Sequence, residues 1–168
     1  MFRPVGRAGG GIDAGAAYGE LPLKDLDEHR ARHVLEASHD AWCRGDIERL
    51  LGCYADDCVY WCNAGVQLGV PFVLEGKSAF RAFLRNIQLV ADSRSVIDLF
   101  QFDGKVARAQ IDAYVRHRQT GHVLAGSYRQ VVTYRGTEIW QVQEYHDAAK
   151  MAAFWRLVTS EQAAEGRK

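Results

Sequence analysis

An acid, an imidazole and an indole lie close together near the C-terminal end of the sequence. The segment 139–146 alternates β-branched, aromatic and polar residues, which predicts a strand. Successive strand residues point to opposite faces, so Trp140, Glu144 and His146 should share one face. A carboxylate beside an imidazole can exchange protons with a bound molecule. Two other interpretations stay open: an ion pair between Glu144 and an arginine, and a structural hydrogen bond made by His146.

A second candidate carboxylate, Asp112, lies in the predicted strand 105–117. Alternation places Asp112 on the same face as Gln110 and Tyr114. The opposite face is apolar, which by patterning alone makes it the core face and leaves Asp112 in solvent or at a dimer interface. The apolar set consists of Ala107, Ala109, Ile111, Ala113 and Val115.

The cysteines and histidines give no complete metal-binding motif. No two cysteines form a CxxC pair, so a zinc site of the usual spacing is not predicted. Glu144 and His146 could share a metal ion, but no third ligand is evident, and we predict no metal and no cofactor. Free buried thiols are the favoured interpretation, since a nucleophilic thiol would need a nearby histidine. The four cysteines are Cys43, Cys53, Cys58 and Cys62.

Composition predicts one globular domain without a polyanionic partner. The chain has 168 residues, 48% of them hydrophobic, with 21 basic and 21 acidic side chains. A zero net charge and the lack of a long apolar run favour neither nucleic acid nor membrane as a partner. The glycine-rich segment 1–22 predicts a flexible tail, 23–160 the folded domain and 161–168 a polar tail. No secretory signal is recognisable, so we expect a cytoplasmic protein.

Hydrophobic periodicity predicts helices followed by a sheet. A first helix, capped by Asp25, should span about 25–44, and Asp46 should cap a short second helix. A final helix should follow Asp147 and cover either the open end of the sheet or a dimer partner. The fold class is therefore α+β, with helices on one face of a curved antiparallel sheet. The other elements are a strand over 58–63, a loop over 64–75, a helix from Gly76, and a four-strand meander over about 93–102, 105–117, 122–135 and 139–146.

This order, with several short motifs, resembles the SnoaL-like branch of the nuclear transport factor 2-like superfamily. The resemblance covers about residues 25–158 and implies a cone of helices and curved sheet around an internal apolar pocket. It also implies a homodimer formed through the outer face of the sheet. The motifs are Trp42-Cys43-Arg44-Gly45-Asp46, Tyr54-Ala55-Asp56-Asp57-Cys58-Val59, Glu75-Gly76-Lys77, Arg135-Gly136-Thr137-Glu138-Ile139 and Glu144-Tyr145-His146-Asp147.

Limonene-type epoxide hydrolases of this superfamily show which positions such a pocket would use. Their aromatic-x-Asn corresponds to Trp61-Cys62-Asn63, their Arg-x-Asp to Gln110-Ile111-Asp112, and their last acid to Glu144. The missing tyrosine and arginine disfavour epoxide hydrolysis, but the resemblance implies that Asp112 faces the pocket, against the patterning.

The resemblance implies a cofactor-independent enzyme of the cyclase, isomerase or dehydratase kind, acting on a small hydrophobic molecule. A pocket carboxylate would act as general base and polar neighbours would polarise a carbonyl. A non-catalytic ligand-binding or accessory protein of the same fold is the alternative, and His39 is a weak further candidate. The predicted catalytic residues are Asp112, Glu144 and His146; the predicted substrate-binding residues are Trp42, Trp61, Asn63, Phe80, Tyr114 and Trp140.

Overall fold

Four helices and six strands form the protein in a computed structural model that describes residues 26–65 and 70–165. None of the described helices is long and apolar enough to cross a membrane. In chain order the elements are α1 (Glu28–Arg44), α2 (Ile47–Leu51), β1 (Tyr54–Cys62), β2 (Phe72–Glu75), α3 (Gly76–Val90), β3 (Ala91–Asp103), β4 (Val106–His117), β5 (Val123–Arg135), β6 (Glu138–Tyr145) and α4 (Ala148–Glu165).

Local capping explains where the first helices begin and end. The Asp27 carboxylate accepts a hydrogen bond from the Arg30 backbone N–H at 2.7 Å, so α1 begins at Glu28. The predicted cap, Asp25, lies outside the described residues. Gly45 ends α1 with φ of 76°, a left-handed conformation that favours glycine. Asp46 then caps α2, which confirms that prediction.

The sheet is mixed, with strand order β2-β1-β6-β5-β4-β3. The antiparallel meander β3 to β6 and the α+β class are confirmed. The predicted loop 64–75 contains a strand, β2, which pairs with β1. A long crossover brings β1 parallel to β6, so that Cys62 lies opposite Glu144. This parallel pairing, which simple alternation does not show, brings β1 to the strand that carries the candidate acid.

A β-bulge at Trp140 changes the facing of residues along β6. Tyr134 pairs with Ile139, whereas the neighbouring Thr133 pairs with Gln141, which leaves Trp140 without an opposite residue. Ile139 and Val142 are both 0% exposed, although strict alternation would place them on opposite faces. The bulge therefore turns both aliphatic residues toward the core.

The last helix closes one end of the structure by packing against its own chain. Asp147 caps it by accepting from the Lys150 backbone N–H at 3.0 Å, as predicted. Phe154, Trp155 and Val158 bury their side chains against apolar residues of the sheet and of α3. The helix continues to Glu165, into the segment 161–168 that the sequence predicts as a polar tail. The contacting apolar residues are Val90, Val115, Leu124 and Met151.

Candidate functional site

The helices and the inner face of the sheet enclose a cavity of about 150 Å³. All four helices and all six strands of the described structure contribute residues to its wall. Most of the wall is aromatic or aliphatic, and its polar side chains include Ser38, His39, Ser93, Ser95, Gln130, Glu144 and His146. The apolar lining includes Trp42, Leu50, Tyr54, Tyr60, Phe72, Phe80, Phe83, Leu84, Ile87, Val115, Leu124, Tyr128, Met151 and Trp155.

The Glu144 carboxylate is the focus of the polar part of this cavity. Its side chain is 12% exposed. Tyr60 Oη donates to Glu144 Oε2 at 2.6 Å, and His146 Nε2 lies 2.9 Å from the same oxygen. Gln130 Nε2 donates to Oε1 at 2.9 Å. The sheet fixes this arrangement, because Gln130 lies directly opposite Glu144 on β5.

A chain of hydrogen bonds extends from this carboxylate to α1 and β3. Gln130 donates to Glu144, so its amide oxygen accepts from His39 Nε2 at 3.2 Å. His39 is then protonated on Nε2, and its Nδ1 accepts from Ser95 Oγ at 2.7 Å. Burial lowers the pKa of His39, although its hydrogen bond to Gln130 and the charge of Glu144 act in the opposite direction. The imidazole is therefore neutral at pH 7 and positions Gln130.

Glu144 and His146 form a buried ion pair. Burial alone would raise the pKa of Glu144, but hydrogen bonds from His146, Tyr60 and Gln130 bring it below its ordinary value. Burial alone would lower the pKa of His146, but hydrogen bonding to Cys62 and Glu144 raises it to about 10. At neutral pH the site therefore contains a carboxylate and an imidazolium within a mostly apolar wall.

Contacts from three directions hold the His146 ring and backbone. Asn63 Oδ1 accepts from the His146 backbone N–H at 2.8 Å, and Asn63 Nδ2 donates to the His146 carbonyl at 2.9 Å. The Tyr128 ring stacks on the imidazole with centroids 4.2 Å apart. His146 follows the last residue of β6, so these contacts replace the sheet pairing that would otherwise fix it.

Among the described residues, Cys62, Glu144 and His146 form a group that could hold a metal ion. One ligand atom from each lies within 4.8 Å of the others. A thiolate, a carboxylate and an imidazole are ligands that suit Zn²⁺. Cys62 therefore supplies the third donor that the sequence did not reveal. The prediction that no metal or cofactor is used stays a prediction.

The structure brings four of the predicted site residues to the cavity wall: Glu144, His146, Trp42 and Phe80. Asn63 lies beside the cavity, where it binds the backbone of His146 and does not line the wall. Its position is therefore that of a residue that orients His146.

Asp112 and Tyr114 do not face the cavity, and that prediction is wrong for both. Asp112 is exposed on the outer face of β4 and accepts a hydrogen bond from Ser127 Oγ at 2.6 Å. Tyr114 is 38% exposed on the same outer face. Their inward neighbour Ile111 is 0% exposed. The alternation of apolar residues along β4 identified the core face correctly. The resemblance, which implied that Asp112 faces the pocket, did not.

Trp61 and Trp140 also lie outside the cavity, for different reasons. Trp61 is on the outer face of β1, where its ring contacts Tyr145 with centroids 5.1 Å apart. Trp140 is displaced by the bulge in β6, and the Arg135 guanidinium lies 5.8 Å from its ring centroid. Neither tryptophan lines the cavity as predicted.

Three central residues were not predicted as site residues: Tyr60, Gln130 and Tyr128. The alternation of β1 does place Tyr60 on the face that carries Cys58 and Cys62, which are 1% and 3% exposed. The small, apolar side chains of these cysteines indicate that this face is the inner side of the strand. For Gln130 the signal is that it shares a face of β5 with Val132 and Tyr134, which are 0% and 3% exposed, and it is itself 3% exposed.

The SnoaL-like domain family matches residues 35–146, and the chain therefore belongs to this family. No curated protein matches the chain closely enough to be reported as a relative.

Solved structures show the same fold at low sequence identity. A candidate polyketide cyclase from Xanthomonas campestris pv. campestris superposes with a TM-score of 0.66 at 19% identity, covering 76% of this chain and 98% of that one. TerC, co-crystallised with polyporic acid, gives 0.66 at 15% identity, covering 76% and 98%. An LEH-like epoxide hydrolase from M. tuberculosis gives 0.63 at 16%, covering 83% and 99%. At these identities the likeness establishes the nuclear transport factor 2-like fold.

Proposed function

We propose that the protein is an enzyme that uses Glu144 as a general base on a small hydrophobic carbonyl compound, without a cofactor. The observation that carries this proposal is the buried carboxylate, held by three donors in a mostly apolar cavity. A low-polarity wall strengthens every charge interaction inside it and favours proton transfer between positioned groups. A solved structure of the same fold is described as a candidate polyketide cyclase, which is consistent with this class of chemistry.

The reaction begins when a C–H bond next to the substrate carbonyl loses its proton to a Glu144 oxygen. The electron pair of that bond becomes an enolate, whose oxygen needs a positive or donating partner. The His146 imidazolium, with its pKa raised to about 10, supplies positive charge beside the same carboxylate. Once Glu144 is protonated, its hydrogen bond with His146 weakens and the imidazolium can interact with the enolate.

Three outcomes of the enolate define the class of enzyme. Return of the proton from Glu144 to a different carbon isomerises the substrate. Expulsion of a neighbouring hydroxyl, which takes a proton from His146 and leaves as water, gives a dehydration. Attack of the enolate carbon on a second carbonyl of the same molecule closes a ring, and the alkoxide formed from that carbonyl takes the proton from Glu144. The substrate's own functional groups decide among these outcomes, while the initial proton transfer is the same.

The test measures enolisation, because every one of these reactions shares it. Methyl ketones such as acetophenone are incubated with the protein in D₂O, and deuterium uptake next to the carbonyl is followed by mass spectrometry. Since a positioned acid or base contributes about 100-fold or more, Glu144→Gln should lower the catalysed exchange by at least about 100-fold. Asp112→Asn is the matched control, because Asp112 is a strand carboxylate outside the cavity. Equal exchange in wild type and Glu144→Gln would exclude the proposed base.

A ligand-binding or accessory protein is the second candidate function. The three donors that lower the pKa of Glu144 also satisfy both of its oxygens, as in a purely structural ion pair. On this alternative, small aromatic compounds raise the melting temperature of the protein while no exchange above the solvent background occurs.

We also propose that the outer face of the sheet forms a homodimer interface. Val96 and Leu99 on β3 are 66% and 60% exposed, and Tyr145 on β6 is 43% exposed. Large apolar side chains on one face are typical of protein interfaces. Light scattering of the wild type should give twice the monomer mass, and Leu99→Glu should reduce it; a monomeric wild type contradicts the proposal.

A further inference from the structure

We propose a second polar binding point in the cavity, at Trp155 and Ser93, that binds an oxygen acceptor of the ligand away from the reacting end. The inference rests on the proposed function in one respect: the ligand that reacts at Glu144 is the one that this point would hold. It specifies the ligand class as an apolar, ring-sized molecule with a carbonyl or comparable acceptor in addition to the reacting carbonyl.

The first observation is that two polar atoms in the cavity wall have no hydrogen-bond partner. Trp155 is 9% exposed, yet its Nε1 makes no hydrogen bond within the described structure. Ser93 Oγ is likewise buried without a partner. Both residues line the cavity. Because most buried polar groups in proteins are paired, two unpaired groups in one cavity wall indicate a missing partner.

The second observation is that both groups belong to the same part of the cavity. Ser93 lies opposite Val115 in the register of β3 and β4. Val115 also packs against the cluster that contains Trp155. Ser93 and the cluster that contains Trp155 therefore both neighbour Val115, where α4 covers the end of the sheet.

This polar point is separate from the acid along the sheet. Leu124, which packs against the Trp155 cluster, and Gln130, which binds Glu144, are six residues apart on β5. The polar group at Trp155 is thus separate from the hydrogen-bond chain that ends at Glu144.

The chemistry of the unpaired atoms specifies what they bind. An indole N–H only donates, and a serine hydroxyl donates or accepts. Their common partner is consequently an acceptor, such as a carbonyl oxygen. Most of the cavity wall is aromatic or aliphatic. A cavity of about 150 Å³ has room for a ligand of roughly the size of one substituted ring.

A matched pair of ligands tests this assignment. The probes are 1,4-diacetylbenzene and 4-isopropylacetophenone, which have similar shapes but two carbonyl groups and one, respectively. Dissociation constants are measured for both by calorimetry with wild type, Trp155→Phe and Ser93→Ala. The quantity of interest is the affinity for the diketone relative to that for the monoketone, so that general losses of packing cancel.

A neutral hydrogen bond contributes about 0.5–1.5 kcal/mol, which corresponds to about a 2- to 12-fold change in affinity. The relative affinity for the diketone should fall by that factor in Trp155→Phe, and in the same direction in Ser93→Ala. Trp61→Phe is the matched control, because it removes an indole N–H from the outer face. Its relative affinity should equal that of the wild type.

A measurement on the wild type avoids any dependence on how the variants fold. The indole N–H resonance of Trp155, assigned from its loss in Trp155→Phe or by selective labelling, should move downfield with the diketone and less with the monoketone. Equal shifts, an unchanged affinity ratio, or no binding of either probe to the wild type would each overturn the second binding point. The enolisation assay on Glu144→Gln stands apart from these outcomes, so failure of one proposal does not imply failure of the other.

Discussion

Glu144 and Asp112 are strand carboxylates with one similar contact and very different surroundings. Each accepts a hydrogen bond of 2.6 Å from a hydroxyl, Glu144 from Tyr60 and Asp112 from Ser127. On the inner face Glu144 receives two further donors, and burial makes each of them necessary. On the outer face water solvates Asp112. The comparison shows that the face of the sheet, more than the nearest hydrogen-bond partner, decides whether a carboxylate is buried and needs several donors.

The largest difference between the two carboxylates should appear in the free energy of unfolding when each is replaced by alanine. Glu144→Ala leaves the His146 imidazolium buried without its counter-charge, which should lower the free energy of unfolding by about 3–5 kcal/mol. Asp112→Ala should change it by no more than about 0.5 kcal/mol. Urea denaturation of both variants measures the difference. Similar losses in the two variants would contradict the assignment of inner and outer faces.

The pH dependence of stability should reveal the ion pair on the inner face. The folded pKa of His146, about 10, lies above its ordinary value of 6.5, so its stabilising contribution is complete below pH 6.5 and is lost as pH rises toward 10. The folded pKa of Glu144 is lowered, so its contribution is complete above its ordinary value of 4.5 and is lost as pH falls through the folded pKa.

Denaturation of the wild type from pH 6.5 to 10 measures the alkaline part of this dependence. His146→Gln, which keeps a hydrogen-bonding side chain without the titration, serves as the comparison. The wild type should lose stability across this range and the variant should lose less. Parallel curves would show that His146 is not protonated in the folded protein.

A smaller effect should distinguish the two hydroxyl donors. Tyr60→Phe leaves a buried carboxylate with one donor fewer, and should cost about 1–3 kcal/mol while raising the pKa of Glu144. Ser127→Ala removes the equivalent donor from Asp112, where water replaces it, and should cost less than about 0.5 kcal/mol. Thermal unfolding of the pair compares them directly, and equal costs would argue that Glu144 is solvated.

The order and class of the elements were predictable because local patterns carry them. Alternation of apolar and polar residues identified the meander, and the caps at Asp46 and Asp147 placed two helix starts. On β4 the run of small apolar residues marked the inner face, and Ile111 is indeed 0% exposed. The resemblance placed Glu144 and His146 in the cavity but assigned Trp61 and Asp112 to the wrong face.

The errors come from features that involve more than one strand. A strict period of two could not show the bulge at Trp140, which depends on how β6 pairs with β5 and β1. Nor could it show that β1 runs parallel to β6, because that pairing joins residues far apart in the chain. Tyr60 and Gln130 were missed for the same reason: each becomes a donor to Glu144 only when three strands lie side by side.

The sequence by itself determined the class of fold, the core face of β4 and the presence of an acid and an imidazole near the end of the last strand. These follow from local periodicity, which depends on neighbours along the chain. Tertiary structure alone decided which carboxylate is buried and which donors surround it. Desolvation and hydrogen bonding act through space, and they turn Glu144, but not Asp112, into half of a buried ion pair.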